Sequence, residues 1–376
     1  MILTQCAVCA TDLGLTLGKK CGRCSTRYCG PECQVQHWEQ GGHDKLCKPI
    51  KKAGGAEQYN ANKKYAEAVT VAAEKCADDT KGQTCYICTQ ALHWKTKEGL
   101  VRGCACRGTA GFAHVSCLAE EAKVLVAEVE ENNLSGKVGN ERWARWYACS
   151  LCEQRYHGVV KCALGWACWK TYLGRPEGNS SRRSAMTQLG NGLANAGHHE
   201  DELSVREAEL AMERRLDAPE EDVFVTQSNL ASTYRELGLI EKATDMLRNV
   251  YSGRVRLKGE EDQETIIAAL NYASNLGQLR RFEEAKSLLR KIMPVARRIL
   301  GETHEITLRT RKIYAQVLYN DPGATLDDLR ETAATLEETG RIARRVFGDT
   351  HPLTVDIEGS LQTARAVLFA HITAPA

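Results

Sequence analysis

From about residue 185 onward, apolar side chains recur at i, i+3, i+4 and i+7 along runs that come in pairs, divided by short turns such as Leu237-Gly238-Leu239. That period puts them on one stripe of a helix. The runs also repeat. Asn229-Leu230-Ala231 returns 42 residues on as Asn271-Tyr272-Ala273, Ile240-Glu-Lys-Ala243 returns at the same offset as Phe282-Glu-Glu-Ala285, and Leu247-Arg248 returns as Leu289-Arg290. Ala296-Arg-Arg-Ile-Leu-Gly-Glu-Thr-His304 comes back as Ala343-Arg-Arg-Val-Phe-Gly-Asp-Thr-His351, here 47 residues on, with Asn320-Asp-Pro-Gly-Ala324 inserted. A looser copy covers Gln188 to Leu216. Each unit reads as a helix pair, and one pair cannot bury its own apolar face, so the pattern predicts stacked pairs over 185–376, an all-α helical-repeat solenoid.

The pattern upstream is different. Gly174 to Ser184 is rich in turn formers and reads as a junction. Asn60 to Cys76 has the composition of a connecting helix, and Leu118 to Glu131 that of a further one. The apolar stretch from Val159 to Leu173 is interrupted by Lys161 and Lys170 and is shorter than the roughly 20 residues a spanning helix needs. It predicts a packed helix with Cys162, Trp166, Cys168, Trp169 and Tyr172 inward. All six tryptophans (Trp38, Trp94, Trp143, Trp146, Trp166 and Trp169) precede the junction. The residues before Cys6 are too few for a secretory signal and lack a basic start, so neither export nor a membrane is expected.

A length of 376 residues suits two or three domains. A formal charge of +2 on 50 basic and 48 acidic side chains gives no strong field for nucleic acid or an anionic membrane. Nucleic acid is therefore disfavoured, and Lys51-Lys52 and Arg182-Arg183 read as solvated linker.

Cysteine changes the picture. Fourteen of the 17 cysteines fall in two clusters, each with a histidine at metal-ligand spacing. The first is Cys6-x2-Cys9, Cys21-x2-Cys24, Cys29, Cys33, His43 and Cys47. The second is Cys85-x2-Cys88, Cys104-x-Cys106, His114-x2-Cys117 and Cys149-x2-Cys152. Each offers eight ligands, enough for two tetrahedral ions, so four structural zinc ions are implied. A disulfide framework would need an oxidising compartment, and paired knuckles with interleaved histidines have metal spacing, so a reducing compartment follows, cytoplasm or nucleus. No phosphate-binding glycine loop, Gly-x-Ser-x-Gly or His-Glu-x2-His is present, which leaves a conventional metabolic enzyme without support.

The run Tyr28-Cys29-Gly-Pro-Glu-Cys33-Gln34-Val-Gln-His37-Trp38, followed by His43-x3-Cys47, resembles a MYND finger. The resemblance implies interleaved ligands, with Cys6, Cys9, Cys29 and Cys33 on one ion and Cys21, Cys24, His43 and Cys47 on the other. It also implies binding of proline-containing peptides through Gln34 and Trp38. His37 does not fit ligand spacing and is expected at the surface.

The order of ligands in the second cluster is shared by RING-CH domains and PHD fingers, and the spacing favours the former. Arg102-Gly-Cys-Ala-Cys-Arg-Gly-Thr-Ala-Gly-Phe-Ala-His-Val-Ser-Cys-Leu118 resembles the RING-CH signature. That resemblance implies Cys85, Cys88, His114 and Cys117 on one ion, and Cys104, Cys106, Cys149 and Cys152 on the other. It further implies docking of a ubiquitin-conjugating enzyme, with Ile87 as an apolar contact and no covalent catalytic residue. Two departures stand against ubiquitin transfer: 31 residues separate Cys117 from Cys149, and Glu153 follows the last cysteine where active RING domains often carry a basic residue.

In the repeats, Leu300-Gly-Glu-Thr-His-Glu-Ile-Thr-Leu308 and Phe347-Gly-Asp-Thr-His-Pro-Leu-Thr-Val355 resemble the unit junctions of kinesin-light-chain tetratricopeptide repeats. His304 and His351 are expected where a turn hands over to a helix, and not as ligands. The resulting expectation is two cross-braced double-zinc modules followed by the solenoid. Its parts are a MYND-type finger over 1–50, a helical linker over 51–80, a RING-CH-like module over 81–158, a helix and junction over 159–184, and repeats over 185–376. Three readings of function stay open: a ubiquitin-ligase-like protein whose finger or repeats recruit substrate, a non-enzymatic scaffold for protein partners, and a PHD-like chromatin reader.

Overall fold

A computed structural model describes residues 5–11, 13, 17–349 and 351–373. The opening residues 1–4, on which the expectation of no signal segment rests, lie outside them. The chain forms two compact units, Met1–Ala218 and Pro219–Ala376.

The first unit opens with a two-stranded antiparallel ribbon, β1 (Lys19–Lys20) against β2 (Arg27–Tyr28), followed by helices α1 (Pro31–Glu39) and α2 (His43–Lys52). Pro31 starts α1, where its fixed φ and missing N–H cost nothing. Among the described residues, the buried hydrophobic cluster of this module is, apart from cysteines, Leu13, Tyr28, Ile50 and Ala56, with Val8 and Tyr59 packed against it. Helix α3 (Ala56–Lys75) and the single turn α4 (Ala77–Thr80) lead into a second module with little regular structure. Helices α5 (Val115–Glu131) and α6 (Gly136–Trp143) and a 3-10 turn (Ala144–Trp146) then fill the gap before Cys149.

Helix α7 (Gly158–Tyr172) is buried on nearly every face and packs against α3, α5 and α8 (Ser180–Asn195), with α9 (His199–Arg215) closing the unit. A helix apolar all round belongs in a core. Cys162, Trp166, Cys168, Trp169 and Tyr172 are all inside it, as expected. Asn179 caps α8 by accepting a hydrogen bond from the Arg182 amide at 3.1 Å, within the turn-rich segment.

Two glycines let α7 and α8 touch backbone to backbone. A Cβ on Gly165 would sit 2.9 Å from the Gln188 carbonyl oxygen, and one on Gly192 would sit 2.9 Å from that of Lys161. Backbone cannot move aside as a flexible side chain can. Gly165→Val or Gly192→Val should therefore lower stability by about 1–3 kcal/mol, the usual cost of overpacking, in a urea titration of the whole chain. Unchanged midpoints for both variants would show that the helices can separate freely.

In the second unit α10 (Glu220–Glu236) and α11 (Ile240–Lys258), α12 (Gln263–Gln278) and α13 (Phe282–Leu300), and α14 (Glu305–Asn320) and α15 (Leu326–Phe347) pair in turn, and α16 (Pro352–Thr373) follows. The sequence period is visible in the core. Leu247, Leu289 and Leu336 occupy the same place in successive second helices, and Thr265, Thr307 and Thr354 the same place in successive first helices; all six are buried. The insertion at 320–324 is absorbed in the turn before α15, which begins on a capping box between Thr325 and Asp328. His304 and His351 act as caps, each accepting a hydrogen bond at Nδ1 from the amide two residues on, Ile306 or Leu353, at 3.2 Å. On α16, the exposed Gln362 and Arg365 replace the buried Ala315 and Leu318 of α14. The same stripe of α16 also carries the exposed apolar side chains Val355, Phe369 and Ile372.

Candidate metal centres and partner surfaces

Four turns of one kind carry the Cys-x2-Cys pairs. In each, the amide of the first cysteine bonds to the carbonyl five residues on, and the residue after the second cysteine turns left-handed so that its N–H returns to the first cysteine's carbonyl. Those residues are Ala10, Ser25, Thr89 and Glu153, with φ of 55°, 62°, 60° and 59°. The turn leaves both sulfurs on one side. Glu153 is thus a backbone element of the last turn, and its carboxylate is exposed.

The remaining donors meet these turns alternately. Cys29 and Cys33, at the start of α1, join Cys6 and Cys9, while His43 and Cys47 of α2 join Cys21 and Cys24. In the second module His114 and Cys117, at the start of α5, join Cys85 and Cys88, and Cys104 and Cys106 join Cys149 and Cys152. In each group the donor atoms lie within 4.8 Å of one another. All seventeen cysteines are free thiols.

The spacing can be tested against a metal. Tetrahedral zinc with Zn–S bonds of about 2.3 Å holds sulfurs about 3.8 Å apart. Here Cys21 and Cys47 are 3.9 Å apart, Cys106 and Cys149 3.8 Å, and Cys9 and Cys29 3.4 Å. The thiols crowd one another: Cys33 is pushed up to about 12 first of all by its contact with Cys29. Sulfurs so close hold as thiolates around a cation. Backbone amides help. Burial raises the Cys85 thiol, but the amides of Cys88, His114 and Ile87 outweigh it and hold the group below its ordinary value. The four clusters can bind zinc.

The histidines use opposite nitrogens. His43 turns Nε2 to the Cys24 sulfur at 3.4 Å. His114 turns Nδ1 to Cys88 and Cys117 at 3.3 and 3.6 Å, and its Nε2–H donates to the Ala91 carbonyl at 3.4 Å. That outer hydrogen bond fixes the tautomer that leaves Nδ1 free for a metal. His37 joins no cluster and departs from its expected place at the surface. It is half-buried, hydrogen-bonded to the Tyr28 hydroxyl at 3.0 Å, with its ring 4.9 Å from that of His43. It props a candidate ligand, and the spacing of cysteines gave no sign of this.

The residues expected to meet partners are accessible. Trp38 is 46% exposed, with an edge on the His43 ring, and Gln34 lies one turn before it on α1. Ile87 is 40% exposed at the tip of the third Cys-x2-Cys turn. The long gap between Cys117 and Cys149 holds no loose loop. Trp146 is buried there, and it and Trp143 pack on Tyr172 of α7 at ring distances of 5.8 and 5.5 Å. Two of the leftover thiols are packed away from solvent: complete burial pushes Cys168 well up, and burial pushes Cys162 up to about 11. Cys76 is half-buried near the Arg102 carbonyl.

Three family models match the chain: the MYND finger at residues 6–47, the RING-variant domain at 85–126, and the tetratricopeptide repeat at 265–305. The second decides for RING-CH over PHD, and it ends before Cys149 and Cys152. No curated protein matches. Among solved structures the chain is similar to kinesin-light-chain TPR-like repeats from Podosopora anserina, at 15% identity over 62% of this chain and 97% of that one, TM-score 0.41. It is also similar to BtubC from P. vanneervenii, at 12% identity over 70% and 92%, TM-score 0.38. MYND fingers and tetratricopeptide repeats are protein-interaction modules. The chain is therefore a zinc-binding protein-interaction protein, with zinc modules followed by a helical-repeat solenoid. No helix among the described residues is long and apolar enough to cross a membrane.

Proposed function

We propose that the sixteen gathered donors are zinc ligands, two ions to a module, and that the RING-variant module promotes ubiquitin transfer to proteins recruited by the finger and the repeats. The working parts on this reading are the modules at 1–50 and 81–158, the linker at 51–80, the helix and junction at 159–184, and the repeats from 185. Bound zinc would hold the two modules in shape and supply no further chemistry. The observation that carries the reading is Ile87, an exposed aliphatic side chain on a turn held rigid by Cys85 and Cys88. Ile87 would dock a ubiquitin-conjugating enzyme, and acceleration would come from holding the thioester in a reactive conformation. Gln34 and Trp38 would take a proline-containing segment. A groove of about 480 Å³ between α12 and α14, edged by Ser274, Gln278, Gln316 and Asn320, offers amides and a hydroxyl to the main chain of an extended partner. Free thiols in such number suit a reducing compartment, cytoplasm or nucleus.

One observation favours an adaptor without transfer activity: the exposed Glu153 carboxylate directly after Cys152, where a cation would brace ubiquitin. The test is discharge of ubiquitin from a panel of loaded conjugating enzymes. Ile87→Ala should abolish discharge and leave the zinc content at four, because Ile87 is no ligand. Silence across the panel from zinc-loaded protein selects the adaptor.

A further inference from the structure

The second module contains a fifth turn of the cysteine-knuckle kind, and it has no cysteine. The His93 amide bonds to the Glu98 carbonyl at 3.0 Å, Lys97 is left-handed at φ 60°, and its N–H returns to the His93 carbonyl at 2.9 Å. The two ligand positions are held by His93 and Thr96. Where the other turns place two sulfurs around a metal, these side chains bond directly: His93 Nδ1 lies 2.8 Å from the Thr96 hydroxyl and accepts from the Thr96 amide at 3.1 Å. The His93 ring is buried against that of His114, 5.3 Å away. A left-handed lysine is costly unless its surroundings over-determine it, and here the turn's own hydrogen bonds and the packing of His93 on His114 hold it.

At its tip the turn displays Trp94, 68% exposed, beside Leu92 at 58%. Beside it runs a groove of about 360 Å³ with small apolar walls, including Ala73, Ala77, Gly82, Ala91 and Leu100. Lys95 and Lys97 stand on the turn itself and Lys81 lies between the lining residues Thr80 and Gly82, all three exposed and in no ion pair among the described residues, while the exposed Asp78 follows the lining Ala77. The nearby carboxylates that do have partners face elsewhere: Glu98 accepts from Ser116 and Asp79 from Arg102. A rigid aromatic anchor beside a small-residue groove is the form of an interface hot spot. The basic excess sets the sign of what it takes.

We propose that the His93–Glu98 turn and the groove beside it form a second protein-docking surface, for an acidic segment that stacks an apolar side chain on Trp94 while its carboxylates meet Lys95 and Lys97. The surface does not depend on whether Ile87 docks a conjugating enzyme. The groove's walls are mostly small and apolar, with Thr80, Gln83 and Thr84 as their polar members, and they take an aliphatic or aromatic side chain, which favours a peptide over nucleic acid.

The test is a selection of short random peptides on the full zinc-loaded chain, followed by fluorescence anisotropy with the peptides recovered. Peptides that pair acidic and large apolar residues should dominate, and added salt should weaken them. Trp94→Ala should lower their affinity by about tenfold or more, as for a hot-spot aromatic. Lys95→Glu with Lys97→Glu should do likewise, whereas Trp38→Ala should leave their binding intact. Zinc content should stay at four in each variant. Thr96→Val keeps Trp94 but breaks the hydrogen bond that rigidifies the turn, and should weaken binding less than Trp94→Ala. The proposal is overturned if no acidic, apolar pattern emerges, or if the selected peptides bind the Trp94→Ala chain equally well. Tighter binding of an oligo-dT probe, lost in the same variants, would make the surface a nucleic-acid site. Loss of ubiquitin discharge in Trp94→Ala would merge it with the Ile87 dock.

Discussion

Chelation of the purified chain is expected to unfold the first module completely, release four zinc ions, and leave the helical signal of residues 219–376 in place. Burial gives the first module little to hold itself together with: among its described residues the buried hydrophobic cluster is, besides cysteines, Leu13, Tyr28, Ile50 and Ala56. Ordering a backbone of that size costs on the order of 1–2 kcal/mol per residue. Structural zinc contributes on the order of 10–16 kcal/mol per site in isolated fingers near neutral pH, so folding there is metal binding. The second module should respond differently. Its core is shared with α3, α5 and α7 through Val69, Val115, Leu118, Val160 and Leu164, among others. Losing its ions should collapse the turns at Cys85 to Cys106 while α5 and α7 keep their packing. Acid should act like chelator: ligands bind as thiolates, binding releases protons, and affinity falls as pH falls. Metal analysis with circular dichroism at each chelator concentration checks this. Well-folded protein carrying two ions or none would remove one or both modules from the account.

Much of that metal chemistry could be read before any coordinates, because a Cys-x2-Cys turn is local: the spacing dictates the turn, and the turn dictates where both sulfurs point. The repeats were legible for a similar reason, since each helix pair repeats its own contacts 42 residues on, as Leu247 and Leu289 show. What the sequence hid depends on partners far along the chain. Nothing local to Gly165 says that the backbone of Gln188 will press on it, though a glycine inside an apolar helix is a signal worth reading. His37 lacks ligand spacing, which points it outward, but it packs on His43, which only the fold brings near. The His93 turn carries no cysteine to mark it in the sequence, and its hydrogen-bond pattern is the same without one. The gap before Cys149 read as a departure from the RING-CH pattern. In three dimensions it is a helical arm whose Trp143 and Trp146 fasten the zinc module to α7.

Leu289→Asp is expected to cost on the order of 5 kcal/mol in the second unit, enough to unfold several of its helices at room temperature. Leu289 is fully buried on α13, between α12 and α14. Removing a buried leucine side chain costs about 2–5 kcal/mol through lost transfer energy and cavity. Placing a carboxylate there adds the penalty of a polar group with no partner, or forces its protonation. A globular unit is stable by only about 5–15 kcal/mol, so the sum is a large part of the whole. Because each helix pair leans mainly on its neighbours, damage at α13 should spread to α12 and α14 before it reaches α16. Leu230→Asp, on α10 at the other end, should cost a similar amount but leave α14 to α16 protected in hydrogen exchange. Arg309→Ala, at an exposed position of α14, should change stability by less than about 0.5 kcal/mol. The measurement is thermal and urea unfolding of a fragment from Pro219 to the C-terminus, with exchange protection read helix by helix. Equal loss of protection in every helix for both aspartate variants would mean that the unit folds as one block and not as a chain of neighbours. A fragment rich in strand, or unfolded from the start, would overturn the stacked-pair account altogether.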